Sequence, residues 1–295
     1  MLHRAGVVQG PLMLLHGGAG PQDPTPEGLR GATTELVTFA RAAAALAGRA
    51  PLDLVVKALE GMENSPTFNA GYGAALQSDG AARLTAALMD GTRQSFSAVI
   101  GLGFTRHPCR VAYALQTRLS RVLASPGNEL VARQLALPVE TVVTPERVAK
   151  WRLQSEEDGG LCDTVGAVVI DAGGHIAAGT STGGRGNEFP GRVSDSGTVA
   201  GNYATRVCGV SATGIGEEII DDALAARLET RVRDGMSLAD ASQRCFDEAK
   251  ELKRQYGWIS VGRGGHWTIA HTTPAMTYVV MTLAGEVVAS SMPKG

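Results

Sequence analysis

The sequence predicts an α/β protein in which two packed β-sheets are covered by helices. Strand-like segments cluster near the start, the middle and the end of the chain, and pairs of amphipathic segments lie between these clusters. No regular βαβ repeat appears, so two packed sheets fit the pattern. At 295 residues and 44% hydrophobic content, the chain can fill a sizeable core as one large unit.

Apolar periodicity and the positions of Gly and Pro set the bounds of each element. The predicted helices span residues 26–47, 51–62, 108–123, 128–135, 145–154, 214–231 and 240–253. The predicted strands span residues 12–16, 82–89, 96–102, 165–170, 175–182, 207–212, 276–283 and 286–290. In the third helix, the residues predicted to face the core recur about one turn apart: Val111, Leu115, Leu119 and Val122.

The middle pair of strands has a threonine at each of its far ends. Thr164 opens the first strand, Thr182 closes the second, and Gly173 lies in the turn between them. Because folding at this turn brings the ends of the hairpin together, we expect the two threonines to meet. Threonine is common in strands for packing reasons alone, so the hairpin by itself does not indicate a function.

Charge and cysteine usage narrow the possible partners. The net charge is −2 and Lys and Arg are scattered, so neither nucleic acid nor an anionic membrane surface is expected to bind. The apolar part of the N-terminal region, residues 12–15, is too short for a signal segment or a spanning helix, which predicts a cytoplasmic protein. Widely spaced cysteines favour free thiols over a disulfide framework or a zinc site: Cys109, Cys162, Cys208 and Cys245.

Two glycine-rich turns leave a nucleotide-binding module open as a distant alternative. The turn at residues 17–20 is not followed at once by a helix or by a Lys-Ser/Thr pair, as a phosphate loop would be. The turn at residues 214–217 lacks the third glycine of a dinucleotide loop, since Ile219 takes that place. Backbone N–H groups at such a turn would equally stabilise an oxyanion.

Seven short segments, in this order, carry a resemblance to one family. They are residues 15–20 (LHGGAG), 68–73 (FNAGYG), 89–91 (MDG), 164–168 (TVGAV), 180–184 (TSTGG), 191–196 (GRVSDS) and 212–217 (ATGIGE). On these segments the chain resembles the N-terminal-nucleophile, or plant-type, L-asparaginases and isoaspartyl peptidases, which are related to aspartylglucosaminidase and taspase. One such segment would be weak, whereas seven in order are specific.

The resemblance implies a definite architecture. It is the four-layer αββα sandwich of the N-terminal-nucleophile hydrolases, as a single domain over residues 1–295 that cleaves itself into an α subunit (1–163) and a β subunit (164–295). Two such αβ units would pair as (αβ)2. No cofactor is implied for catalysis, but a structural sodium ion is implied in the loop from Glu60 to Asn69, where backbone carbonyls would bind it.

The implied chemistry centres on Thr164. A threonine hydroxyl needs an adjacent base, and the residue's own α-amino group, with an unperturbed pKa of ~8, can serve once the bond after Asp163 is cut. The acidic, Gly-rich residues 155–160 predict a mobile linker before that bond. By resemblance, Thr182 orients Thr164, and Asn69 helps to position it.

Substrate recognition is expected to come from the residues after the hairpin. Arg192 and Asp195 could form a surface ion pair of little energetic value. Alternatively, Arg192 offers a planar fork to a substrate carboxylate and Asp195 binds the substrate ammonium, and the resemblance favours this second interpretation. It also implies an oxyanion hole from Thr213 Oγ and the Gly214 N–H. We place both of these residues and Gly216 in the substrate-binding site.

The predicted activity is hydrolysis of L-asparagine and of β-aspartyl (isoaspartyl) dipeptides through an acyl-enzyme. The sequence departs from the family at two positions, with Asp163 where most relatives have Gly and Thr85 where they have Asp. A glycosylasparaginase-like or taspase-like specificity is therefore the nearest alternative. The missing signal segment counts against the first, and the lack of a long insertion before Thr164 counts against the second.

Overall fold

The computed structural model of the protein describes residues 1–20, 23–153 and 164–292. The strands within these ranges are β1 (Leu2–Val7), β2 (Leu12–Gly18), β3 (Leu84–Asp90), β4 (Ser95–Leu102), β5 (Val122–Leu123), β6 (Val165–Ile170), β7 (Ile176–Thr182), β8 (Asn202–Ala204), β9 (Cys208–Gly214), β10 (Tyr256–Gly262), β11 (His266–His271), β12 (Thr277–Thr282) and β13 (Val287–Ser290). The α-helices are α1 (Pro26–Ala44), α2 (Pro51–Asn64), α3 (Pro108–Leu115), α4 (Gly127–Gln134), α5 (Pro145–Leu153), α6 (Gly216–Asp221), α7 (Leu224–Arg233) and α8 (Leu238–Glu251).

The strands form two sheets that pack face to face between two helical layers. The smaller sheet has the order β1-β11-β10-β9-β8, and the larger has the order β13-β12-β2-β6-β7-β3-β4-β5. Three apolar clusters mark the three interfaces. Leu59 of α2 lies in the first, Val168 and Ile259 lie in the second, between the sheets, and Leu228 and Trp258 lie in the third. The predicted α/β class with two sheets is confirmed.

Strands from both predicted subunits alternate within the larger sheet. The hairpin β6-β7 lies at its centre, flanked by β2 on one side and β3 on the other. Every residue of β6 and β7 is buried. Because β2 and β3 precede residue 163, a cut before Thr164 would leave the two pieces joined by the backbone ladders on both sides of the hairpin. The cut itself stays a prediction, since residues 154–163 lie outside the described ranges.

The predicted helix over residues 108–123 is too long. Helix α3 ends at Leu115, and the side chain of Gln116 turns inward to donate to the Leu88 carbonyl and to Ser97 Oγ. Leu119 is fully exposed, and Val122 belongs to the short edge strand β5, which pairs in parallel with β4. A buried glutamine that satisfies polar groups of the sheet thus replaces the apolar repeat as the determinant of the helix end.

The predicted helix over residues 214–231 is two helices. The chain breaks between α6 and α7 at Ala223, whose φ of 46° is left-handed. Asp222 is buried at this break, where its carboxylate accepts a hydrogen bond from the Tyr256 hydroxyl at 2.7 Å and lies 3.3 Å from Arg254 Nε. A buried carboxylate needs such partners, and its contacts favour the break over a continuous helix.

Five strands were not predicted: β1, β5, β8, β10 and β11. Strand β10 is buried throughout, so it lacks the polar alternation that marks a half-exposed strand. Gly257 interrupts its apolar run because a Cβ there would lie 2.7 Å from the Ala270 carbonyl oxygen of β11. The predicted strand 207–212 is present but ends later, at Gly214.

The described cysteines form no disulfide, and the described histidines belong to no group that could hold a metal ion. Cys109, Cys208 and Cys245 are free and buried, while Cys162 lies outside the described ranges. His266 is exposed, and His271 is buried with Nδ1 2.9 Å from the Thr273 carbonyl oxygen. Within the described part of the chain, no group of three His, Cys, Asp or Glu residues could hold a metal ion, and no helix is long and apolar enough to cross a bilayer.

Candidate active site

The two threonines of the central hairpin meet. Val165 pairs with Ser181 in the β6-β7 ladder, which places the preceding Thr164 beside Thr182, and their hydroxyl oxygens lie 3.2 Å apart. Both residues are buried. Thr182 Oγ1 also accepts from the Gly184 N–H at 3.2 Å, so its own proton is free to point towards an amine on Thr164. This contact follows from the backbone register rather than from side-chain choice.

The smaller sheet faces the hairpin through β9. A Cβ added to Gly209 would lie 2.8 Å from Val168 Cγ1, so these two residues are in contact. Two residues further along β9, Ser211 contacts Gly166, two residues nearer the start of β6. Alternate residues of β9 therefore face alternate residues of β6, in opposite directions.

Continued by two more residues in each strand, the same register would place Thr213 opposite Thr164. Thr213 is fully buried, and its Oγ1 accepts a hydrogen bond of 3.3 Å from the Ala19 N–H. Because that oxygen already has a donor, its own proton is available for donation to a negatively charged oxygen. Gly214 follows with a φ of +135°, a conformation that favours glycine.

Arg192 and Asp195 come together around Gly216. A Cβ on Gly216 would lie 2.6 Å from Arg192 Nη2 and 2.8 Å from Asp195 Oδ1, so both charged groups flank this glycine. The guanidinium does not form its ion pair with Asp195. Its Nε and Nη2 donate instead to the two carboxylate oxygens of Glu217 at 2.7 and 2.9 Å. Glu217 follows Gly216 directly, and sequence reasoning assigned it no role.

The carboxylate of Asp195 is buried and only partly satisfied. Ser194 Oγ donates to Oδ1 at 2.9 Å, whereas Oδ2 has no hydrogen-bond partner among the described residues. Burial raises the pKa of Asp195 to about 6, although the Ser194 hydrogen bond and the nearby Arg192 lower it. The pKa of Asp195 stays high beside a guanidinium because burial has the largest effect, and the nearby Glu217 carboxylate adds a smaller upward shift. An unpartnered buried carboxylate oxygen is suited to an incoming cationic group.

Asn69 lies beside the chain that leaves the hairpin. The side-chain Nδ2 of Asn69 donates to the Gly184 carbonyl at 2.6 Å, and the side-chain Oδ1 accepts from the Ala75 N–H at 2.8 Å. The main-chain carbonyl of Asn69 accepts from the Gly183 N–H at 2.9 Å. None of its hydrogen bonds within the described ranges reaches Thr164. Asn69 therefore holds the two glycines after Thr182 rather than the hydroxyl of Thr164.

A second polar contact lies under the hairpin and was missed from the sequence. His16 Nε2 lies 2.8 Å from Ser211 Oγ, and both side chains are fully buried. Gly166 makes room for this pair, because any side chain there would collide with both. Burial lowers the pKa of His16 to about 3, so the imidazole is neutral at neutral pH. The position of His16 in a strand gave no signal of this contact, which joins residues 195 apart in sequence.

Of the two positions at which the sequence departs from the family, Thr85 and Asp163, the structure describes only Thr85. Thr85 is buried on β3 and pairs with Thr182 across the ladder, so the position without the expected carboxylate lies next to the paired threonines. Asp163 and the acidic, Gly-rich segment before it lie outside the described ranges.

Comparison with known proteins agrees with this arrangement. A family model described as asparaginase matches residues 9–288. The chain is 40% identical to an isoaspartyl peptidase/L-asparaginase of Synechocystis sp., over 90% of this chain and 86% of that protein. It is 32% identical to an isoaspartyl peptidase/L-asparaginase of Mus musculus (94% and 90% covered) and 32% identical to a plant-type L-asparaginase of Pyrococcus horikoshii (91% and 95% covered). The family prediction is thereby confirmed, and the chain belongs to this asparaginase family.

Proposed function

We propose that the protein is an autoprocessing threonine hydrolase that cleaves amides of the aspartate side chain, with L-asparagine and β-aspartyl dipeptides as substrates. The observation that carries the proposal is the 3.2 Å contact between the Thr164 and Thr182 hydroxyls. The names of the relatives, isoaspartyl peptidase/L-asparaginase at 32–40% identity, support the same substrates.

The first step is self-cleavage. Thr164 Oγ attacks the carbonyl carbon of Asp163, the acyl group moves from nitrogen to oxygen, and water hydrolyses the ester to free the α-amine of Thr164. The Asp163 carboxylate would take the hydroxyl proton before any free amine exists. This role stays a prediction: Asp163→Gly should cleave more slowly in a time course, while the mature enzyme keeps its activity because residue 163 is not in the β subunit.

The mature site would then act on substrate. The α-amine takes the Thr164 hydroxyl proton, and Oγ attacks the side-chain carbonyl of the aspartyl unit. Thr213 Oγ and the Gly214 N–H stabilise the oxyanion, and the leaving ammonia or amino acid takes up the proton. Water hydrolyses the resulting ester on Thr164 and releases aspartate. The Thr182 hydroxyl, which accepts from Thr164, keeps the nucleophile in one orientation.

Recognition of the aspartyl unit would use both charged groups beside Gly216. The substrate α-carboxylate takes the fork of Arg192 and displaces Glu217, whose side chain is half exposed and can turn to solvent. The substrate ammonium binds the unpartnered Oδ2 of Asp195. A substrate with a blocked ammonium would leave the buried Asp195 carboxylate without a cationic partner, and one with a blocked carboxylate could not displace Glu217 from Arg192.

We propose a structural sodium ion for the loop from Glu60 to Asn69. A Cβ added to Gly73 would collide with the Phe68 carbonyl oxygen and lie 2.9 Å from the Pro66 carbonyl oxygen, so both oxygens face the space beside this glycine. Carbonyl oxygen is a ligand type that hard cations prefer. A Tm higher in NaCl than in choline chloride at equal ionic strength would support this ion.

Assembly as (αβ)2 and a cytoplasmic location stay predictions. Sedimentation equilibrium of the purified protein would test the assembly.

The proposed function is tested by hydrolysis of L-asparagine, β-aspartyl-leucine and their N-acetylated forms, with Thr164→Ala as the inactive control. We expect the wild type to cleave the two free substrates and to leave the acetylated ones intact. Ready turnover of the acetylated substrates would contradict the clamp formed by Arg192 and Asp195 and would favour a taspase-like endopeptidase. Turnover of glycosylasparagine alone would favour the glycosylasparaginase-like alternative.

A further inference from the structure

The residues that lead from the hairpin to Arg192 rest on a turn from the N-terminal part of the chain. We call residues 183–192 the recognition loop and residues 76–83 the support turn. The Asn187 N–H donates to the Leu76 carbonyl at 2.7 Å, and the Ser78 N–H donates to the Glu188 carbonyl at 3.0 Å. The recognition loop is therefore held in place by the support turn through backbone hydrogen bonds.

Gln77 makes the side-chain contact between these two segments. Its side chain is buried, and Oε1 accepts from the Gly191 N–H at 2.9 Å and from Arg83 Nη1 at 2.7 Å. Asp79 holds the Arg83 guanidinium in turn, at 2.8 Å from Nη2. With two donors, one of them charged and itself held, the amide of Gln77 has one orientation open to it.

The contact falls directly before Arg192. Gly191 has a φ of +89°, a left-handed backbone conformation that favours glycine. Because glycine rotates easily about its backbone bonds, a change at Gly191 would displace the next residue, Arg192. The hydrogen bond from the Gly191 N–H to Gln77 Oε1 restricts rotation of the backbone at Gly191. The Arg192 N–H donates to the Phe189 carbonyl at 3.0 Å and fixes this turn.

Helix α5 contacts the support turn through the side chain of Trp151. Trp151 Nε1 donates to the Gln77 carbonyl at 3.0 Å, and the indole ring packs on Gly80, where a Cβ would lie 3.2 Å from it. Helix α5, the last described element before Asp163, thus connects the predicted α subunit to the recognition loop of the predicted β subunit.

We infer that Gln77 is a positioning residue that sets the place of the Arg192 fork, and so governs affinity for substrates with a free α-carboxylate. The inference rests on the proposed function, since it assumes that Arg192 binds the substrate. Gln77 touches no reacting group, so its loss acts through Arg192 alone. The α subunit thereby contributes to substrate recognition by a β-subunit residue.

The matched variants are Gln77→Met, which keeps the side-chain length but removes the acceptor, and Gln77→Glu, which keeps an acceptor oxygen for Gly191 and Arg83. Gln77→Met removes the acceptor of both Gly191 and Arg83, and loss of the Gly191 hydrogen bond, the one next to Arg192, predicts about a 10-fold higher KM for β-aspartyl-leucine. We expect kcat and the rate of self-cleavage to change less than about 3-fold. Gln77→Glu should return KM to within about 3-fold of wild type.

A double-mutant cycle separates this role from general loss of structure. In an Arg192→Lys background the fork is already lost, so Gln77→Met should raise KM by less than about 2-fold. An equal rise in both backgrounds, or a wild-type KM in Gln77→Met, would overturn the inference. Should Gln77→Met fail to fold, Trp151→Phe removes the Nε1 donor to the Gln77 main-chain carbonyl together with the part of the indole ring that packs on Gly80. An unchanged KM there would overturn the inference as well. A wild type inactive on β-aspartyl-leucine and on asparagine would instead refute the proposed function, and this inference would fall with it.

Discussion

The hairpin that carries Thr164 and the loop that carries Arg192 are adjacent in sequence, yet they are held in different ways. The hairpin is fixed by backbone ladders on both sides, and every residue of its strands is buried. The recognition loop has no ladder and depends on a few hydrogen bonds to residues more than 100 positions away. We conclude that the nucleophile should tolerate changes around it, whereas the clamp should respond to single substitutions at a distance.

The largest expected effect is at the nucleophile. Thr164→Ala removes the only proposed attacking oxygen, so both self-cleavage and amide hydrolysis should be undetectable, while the fold persists because the ladders do not use this side chain. Thr164→Ser is the matched control and should retain both activities. Denaturing gels and ammonia release measure the two. Cleavage of the Ala variant would show that another residue starts the reaction.

The next effect is at the oxyanion hole. Thr213→Val keeps the shape of the side chain but removes one donor, and losing such a donor lowers kcat by about 10²-fold to 10³-fold. KM should change little, because the donor acts on the oxyanion rather than on bound substrate. Steady-state kinetics with L-asparagine measure this. A change confined to KM would place Thr213 in ground-state binding instead.

A smaller effect is expected where the loop, rather than the hairpin, is altered. Arg192→Lys keeps the charge but loses the planar fork, which should lower kcat/KM for β-aspartyl-leucine by about 10²-fold. Self-cleavage binds no amino acid, so the variant should process at the wild-type rate. Slow processing in Arg192→Lys would mean that the hairpin and the recognition loop are not independent of each other.

The smallest effect concerns stability. Because burial raises the pKa of Asp195 from 3.8 to about 6, its ionised form destabilises the fold above pH 6, and the penalty vanishes as pH falls below 4. Asp195→Asn should abolish substrate turnover but raise Tm at pH 8 by roughly 2 to 6 °C, from about 1 to 2 kcal/mol. The gain should shrink towards pH 4. Thermal unfolding at both pH values measures it, and a Tm lowered at pH 8 would contradict a strained carboxylate.

The acid limb of activity follows from the same group. Asp195 must be ionised to bind the substrate ammonium, so kcat/KM should fall as pH drops through about 6.

The contacts of the hairpin could be predicted from the sequence, whereas those of the recognition loop could not. The contact between Thr164 and Thr182 depends on a local hairpin, and the turn and strands of that hairpin can be predicted from consecutive residues. The occupation of the Arg192 fork by Glu217 and the support from Gln77 depend on loop conformations and on pairs 25 and 114 residues apart, which no local pattern encodes. Strand β10 was missed for another reason, since burial on both faces removes the alternation that identifies a strand.

The central claim is that Thr164 becomes an N-terminus. N-terminal sequencing of the purified wild-type protein after prolonged incubation tests it most directly, with Thr164→Ala treated in parallel. We predict two wild-type fragments, one beginning at residue 1 or 2 and the other beginning Thr164-Val165-Gly166, and a single uncut chain for the variant. A wild-type protein that remains whole yet hydrolyses L-asparagine would contradict the mechanism, because the α-amine that activates the hydroxyl would then not exist.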